Sequence, residues 1–123
     1  MLLFVYGTLK VGCCNHHILK PMIKEIVSFS VSTVEKFPMY AGDSYFPYLE
    51  FQPGIGNHIN GHLFEIDECY LEKLDRFEGV PTLYKRMNIQ VKKNDTLYES
   101  VVYVKSQNTK LENKKLINEW IEQ

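Results

Sequence analysis

Residues Leu2 to Asn15 read LLFVYGTLKVGCCN. Five apolar or aromatic residues, Leu2 to Tyr6, break off at Gly7-Thr8. A short apolar run stopped by glycine predicts a buried first strand that ends in a tight turn. Gly7 has no Cβ, so the backbone can bend there and a ligand can come close to it. Successive N–H groups at such a turn form an anion-binding concavity. Tyr6, Gly7, Thr8 and Leu9 are therefore a candidate cradle for a carboxylate or phosphate. The alternative is a strand followed by an ordinary turn, and this stretch alone leaves both open.

Beyond the turn, Asn15 is an expected N-cap for a short helical piece that Pro21 stops. Ile23 to Val34 is rich in Val, Ile, Phe, Ser and Thr and predicts one or two strands. Lys36 to Pro47 (KFPMYAGDSYFP) is a structured loop whose aromatics can wall a pocket, followed by a short strand over Tyr48 to Gln52 and a turn at Pro53 to Asn57. His58 to Ile66 alternates apolar and polar residues, as a half-buried strand does. Asp67 then caps a helix from Glu68 to Phe77, with Leu71, Leu74 and Phe77 at three-residue spacing and the stop signals Gly79 and Pro81 behind it. Leu83 to Lys92 and Leu97 to Lys105 predict a hairpin joined by Lys93-Asn94-Asp95-Thr96. Leu111 to Ile121 predicts a terminal helix with Leu111, Ile117, Trp120 and Ile121 packing inward. Several strands around one small core, with two or three short helices, predict an α+β domain with a strongly curved or closed sheet.

The 123 residues, 45% hydrophobic and 24% charged, suit a single domain spanning 1–123. A net charge of −1 gives no electrostatic case for nucleic acid or an anionic membrane. No apolar run is long enough to span a bilayer, and the N-terminus lacks the basic region of a signal peptide. Three cysteines, two of them the adjacent Cys13 and Cys14, do not make a disulfide framework. The expected location is the cytoplasm.

Glu78 is the most informative charged residue. A carboxylate at a helix C-terminus is opposed by the helix dipole. Phe77, Val80 and Pro81 around it can desolvate it and raise its pKa toward the range of a general base. The competing reading is a carboxylate that points into water. Cys13, Cys14, His16 and His17 are too close in sequence to converge on one metal ion, because tetrahedral sites combine spaced pairs. His58 and His62 share one face of their strand. No G-x-S-x-G, phosphate-loop or dinucleotide motif is present.

Three motifs together resemble a known family. They are VYGTLK-x-G-x-x-N at Val5 to Asn15, G-x-L-F-x-I-D at Gly61 to Asp67, and L-x-x-L-D-x-F-E-G-x-P-x-L-Y-x-R at Leu71 to Arg86. The chain is similar in these to the γ-glutamylcyclotransferase-like family, over roughly residues 2 to 104. Asn15-His16 after the glycine, the FPMY loop at Phe37 to Tyr40 and P-G-x-G at Pro53 to Gly56 most resemble its γ-glutamylamine cyclotransferase branch. The resemblance implies a small mixed β-barrel with short flanking helices. It implies a reaction that turns a γ-glutamyl-amine, such as γ-glutamyl-ε-lysine, or a γ-glutamyl-amino acid into 5-oxoproline and the free amine. It implies substrate binding at Tyr6, Gly7, Thr8 and Leu9 and an acid/base role for Glu78, with no metal or cofactor. Tyr84 is expected to line the same pocket. The expected partner is the small γ-glutamyl substrate alone, with no nucleic acid and no membrane. Val11, Cys13, Cys14, Gly79 and Val80, where relatives vary, leave the leaving group open. The alternatives are removal of a γ-glutamyl protecting group from a biosynthetic intermediate, and a small-ligand-binding module without turnover.

Overall fold

A computed structural model describes residues 1–42 and 46–122. The chain runs β1 (Leu2–Val5), α1 (His16–Leu19), a 3-10 turn (Lys20–Met22), β2 (Ile23–Phe37), β3 (Met39–Ala41), β4 (Pro47–Leu49), β5 (Asn57–Ile66), a second 3-10 turn (Glu68–Tyr70), α2 (Leu71–Glu78), β6 (Tyr84–Lys93) and β7 (Thr96–Lys105). Strands β1-β5-β2-β6-β7 close into a barrel, and β3 and β4 form a separate two-stranded ladder. The pairings are antiparallel except that of β1 with β7, where Leu3 lies opposite Val101. This is the mixed barrel with short flanking helices that the resemblance implied.

The continuous apolar run of β1 follows from its position. Phe4 and Tyr6 pack into the barrel interior with Val31, Ile59, Leu63, Val102 and Val104. Leu3 and Val5 face the other way, into a second cluster with Leu19 of α1, Leu74 of α2, Phe64, Ile66 and Tyr103. Side chains alternate faces along a strand, so a strand buried on both sides has no polar positions to show. β5 and β7 divide in the same way between the two clusters. Leu63 and Val102 face the interior, while Phe64 and Tyr103 face the helices. Burying one such side chain contributes roughly 1.5–3 kcal/mol, so losing β1 would remove the shared wall of both clusters. Gly61 lets β1 and β5 cross closely, since a Cβ there would lie 2.3 Å from the Val5 carbonyl oxygen.

β2 is one unbroken strand of 15 residues rather than two, bent by several register shifts against β5. Such bulges supply the curvature that closure requires. The β6–β7 hairpin turns on Asn94-Asp95, with Asn94 in the left-handed region. Among the described residues no helix is long and apolar enough to cross a membrane.

The terminal helix expected over Leu111 to Ile121 does not form. Residues 106–122 are neither helix nor strand. The segment instead bonds to the barrel: Ile117 N–H donates to the Met39 carbonyl at 2.8 Å, and Asn60 N–H donates to the Asn118 carbonyl at 2.8 Å. Ile117 and Trp120 pack on the core, as expected, but Ile121 is exposed. A strap bonded to the sheet satisfies backbone groups that an isolated helix would satisfy internally, and a short helix has little intrinsic stability to oppose it.

Candidate active site

The turn after β1 is held by the segment that follows it. Lys10 N–H donates to the Gly7 carbonyl at 3.1 Å, and Asn15 N–H donates to the Thr8 carbonyl at 3.0 Å. The Asn15 side chain makes no helix cap and instead donates to the Thr8 hydroxyl at 3.0 Å. A ring nitrogen of His16 bonds the Leu9 carbonyl at 2.9 Å. Among the described residues, the N–H groups of Thr8 and Leu9 donate to no backbone carbonyl. They are left available on the inner side of the turn. Gly7 is needed here for a close approach rather than for a left-handed backbone. A Cβ at Gly7 would lie 2.8 Å from the Pro47 ring.

Glu78 is the last residue of α2. Asp67 starts the preceding turn by accepting from Cys69 N–H at 3.0 Å. Gly79, with φ of 72°, stops the helix, and Val80 N–H donates back to the Asp75 carbonyl at 2.9 Å. Leu74 anchors α2 in the core, whereas Phe77 is exposed. One turn before Glu78, the Asp75 carboxylate accepts from the Tyr103 hydroxyl at 2.8 Å and pairs with Arg86 at 3.0 Å. These contacts tie the helix end to β6 and β7 and give Arg86, the last residue of the sequence motif, a positioning role. Burial raises the Glu78 pKa to about 7. Among the described residues no donor is seen on its carboxylate, so nothing offsets the desolvation. Burial also raises the hydroxyl pKa of Tyr84, and the Glu78 charge adds to this, so Tyr84 remains a neutral donor. Burial does the same to Tyr6, whose hydroxyl donates to the Tyr103 carbonyl at 2.6 Å.

Tyr6, Gly7, Thr8, Leu9, Glu78 and Tyr84 all line one cavity of about 850 Å³. Tyr40, Phe46, Pro47 and Tyr48 from the β3–β4 region complete its aromatic side. The rest of that loop, Asp43, Ser44 and Tyr45, lies outside the described residues.

Several residues that the sequence reading did not single out also belong to this wall. Asn15, Lys105, Thr109 and Lys114 line the cavity. Glu50, fully buried, stands behind it. Its carboxylate accepts from the Tyr40 hydroxyl at 2.5 Å, Thr109 N–H at 2.8 Å, the Thr109 hydroxyl at 2.7 Å and the Gln52 amide at 2.8 Å. Burial pushes the Glu50 pKa up, but the hydrogen bonds from Tyr40, Thr109 and Gln52 outweigh it and hold the group below its ordinary value. The sequence signal was an acid inside the run Tyr48-Leu49-Glu50-Phe51, where an unpartnered charge would be disfavoured.

The remaining polar candidates lie elsewhere. A ring nitrogen of His17 bonds the Cys14 carbonyl, and one of His58 bonds the Thr33 carbonyl. His62 accepts from Val11 N–H at 3.2 Å. Burial, aided by the charge of Lys10, lowers its pKa to about 4.

The model of the family described as "Gamma-glutamyl cyclotransferase, AIG2-like" matches residues 3–122. The chain is 41% identical over 93 residues to the gamma-glutamylaminecyclotransferase of Rattus norvegicus, a stretch covering 73% of this chain and 62% of that protein. It is 39% identical over 93 residues to the human gamma-glutamylaminecyclotransferase, covering 73% of this chain and 61% of the relative. The chain thus spans less than two thirds of the length of the curated relatives it matches. Among solved structures, an AIG2-like protein from Mus musculus superposes with a TM-score of 0.86 at 28% identity, covering 98% of this chain and 87% of that one.

Proposed function

The chain belongs to the gamma-glutamyl cyclotransferase, AIG2-like family, and on that footing we propose that it converts γ-glutamyl compounds, γ-glutamyl-amines foremost, into 5-oxoproline and a free amine. The observation that carries this reading is a desolvated carboxylate, Glu78, sharing one cavity with the open N–H groups of the Tyr6–Leu9 turn.

The substrate supplies its own nucleophile. Its α-amine attacks its own γ-carbonyl, a bond forms between the α-nitrogen and the γ-carbon, and a five-membered ring closes. The bond from the γ-carbon to the leaving nitrogen then breaks. Such an intramolecular attack has a high effective molarity once the chain is folded back, so the protein chiefly holds that conformer. Glu78 takes the proton from the α-ammonium and returns it to the leaving nitrogen. With a pKa of about 7, the carboxylate can serve both steps near neutral pH. Thr8 and Leu9 N–H groups bind the substrate α-carboxylate, and Tyr84, kept neutral, closes the side of the pocket next to Glu78. One domain carries the whole site, and free Cys13, Cys14 and Cys69 accord with work in the reducing cytoplasm.

The test is a panel of γ-glutamyl amines and amino acids assayed for released 5-oxoproline. Release from at least one of them is expected, and no release from any would overturn the reading.

A further inference from the structure

Building on that reading, we propose that Lys105 and Lys114 form a subsite for a carboxylate on the leaving amine. The protein then favours γ-glutamyl conjugates of amino acids over conjugates of plain amines.

The size of the cavity is the first argument. About 850 Å³ suits a ligand of drug-like size, whereas a γ-glutamyl unit has only roughly nine heavy atoms. Much of the space is left for the leaving group. The second argument is where the lysines stand. Lys105 lies directly across the β6–β7 ladder from Tyr84, so the two side chains share a face. Tyr84 in turn feels the charge of Glu78 and also those of Tyr40 and Tyr48. The wall therefore runs from the proposed proton-transfer group, past Tyr84, to the lysines.

The third argument is charge. Lys105 Nζ donates to the Tyr40 hydroxyl at 3.3 Å and lies 5.4 Å from the centre of the Tyr48 ring. Lys114 Nζ lies 5.0 Å from the centre of the Tyr40 ring. Among the described residues, the ion pair found is Arg86 with Asp75, and neither lysine has a carboxylate within 4.0 Å. The nearby Glu50 carboxylate is already occupied by Tyr40, Thr109 and Gln52. Two ammonium groups held on aromatic faces, beside a cavity and without a counter-ion, match an incoming anion. The charges of the glutamyl unit are already answered, its ammonium by Glu78 and its carboxylate by the turn. The anion left over is one carried by the leaving amine.

Substrate pairs that differ only in that carboxylate test this directly: γ-glutamyl-ε-lysine against γ-glutamyl-cadaverine, and γ-glutamyl-alanine against γ-glutamyl-ethylamine. 5-Oxoproline release is measured for the parent protein and for Lys105→Met, Lys114→Met and the double variant. The parent should prefer the carboxylated member of a pair by about tenfold or more in kcat/KM, as expected for a charge-assisted contact. The double variant should bring that ratio close to one, chiefly through a higher KM for the carboxylated member. Lys114→Met makes the case independently of the Lys105–Tyr40 hydrogen bond and should lower the ratio by itself. A parent ratio near one overturns the proposal. So does an equal loss on both members in the variants, which would mark the lysines as structural or as contacts of the glutamyl unit. No release from any of the four compounds would overturn the catalytic reading itself, and this one with it.

Discussion

Glu78 and Glu50 are both withdrawn from water on the same side of the molecule, and their surroundings pull them in opposite directions. Glu50 accepts four hydrogen bonds from Tyr40, Thr109 and Gln52, and its carboxylate is held in the charged form. Glu78 shows no such partners among the described residues, and burial pushes its pKa up to about 7. The difference teaches what each is for. A saturated buried carboxylate fixes its neighbours in place, here pinning the C-terminal strap at Thr109. A desolvated and unsaturated one is poised to exchange a proton.

The contrast is broken most sharply by Glu78→Gln. The change keeps the shape and removes the proton acceptor, so 5-oxoproline release should fall by about 10²–10⁴-fold while substrate still binds. Glu50→Ala should act on stability instead. It strands the Tyr40, Thr109 and Gln52 donors, and urea unfolding should report a loss of about 3 kcal/mol. Equal stability in this variant would show that the strap does not depend on Glu50.

The two groups should also move stability with pH in opposite senses. The folded pKa of Glu78 lies above its ordinary 4.5, so the folded state holds the proton more tightly. Its desolvation penalty is absent below pH 4.5 and grows as pH rises through about 7. Glu78→Gln should therefore match the parent in acid and become more stable above neutral pH, by up to about 3 kcal/mol. Glu50, with its lowered pKa, stabilises the fold above the ordinary carboxylate range, and that contribution is lost as pH falls below it. Unfolding curves at pH 4 and pH 8 for the parent and Glu78→Gln check this. Greater stability of the variant at pH 4 than at pH 8 would contradict it.

A smaller effect belongs to the turn. Gly7→Val drives a Cβ into the Pro47 ring, 2.8 Å from it before any movement. Overpacking of this kind costs about 1–3 kcal/mol and should raise KM by displacing the cradle. An unchanged KM would remove the turn from the binding site.

Much of this was legible in the sequence where one local rule and the tertiary structure agree. The alternation of His58 to Ile66 gave β5, the Asp67 cap and Gly79 stop bracketed α2, and the Asn94-Asp95 turn gave the last hairpin. Glu78 stood out because a carboxylate at a helix end lacks a local reason. The failures lie where distant partners decide. Asn15 had the identity of a cap, but the Thr8 hydroxyl claimed its side chain. The apolar positions of the C-terminal segment fitted a helix, yet Met39 and Asn60 bind its backbone as a strap. Glu50 carried almost no signal of its own, because its role depends on Thr109, 59 residues further along the chain.

The contrast between the two carboxylates is tested most directly by a ¹³C NMR titration of the side-chain carboxyls. Glu78→Gln and Glu50→Gln assign the two resonances by their loss. The resonance missing from Glu78→Gln should titrate near pH 7, and the one missing from Glu50→Gln should titrate below the ordinary carboxylate range. A Glu78 resonance that titrates near 4.5, like an exposed glutamate, would contradict a desolvated proton-transfer group at the end of α2.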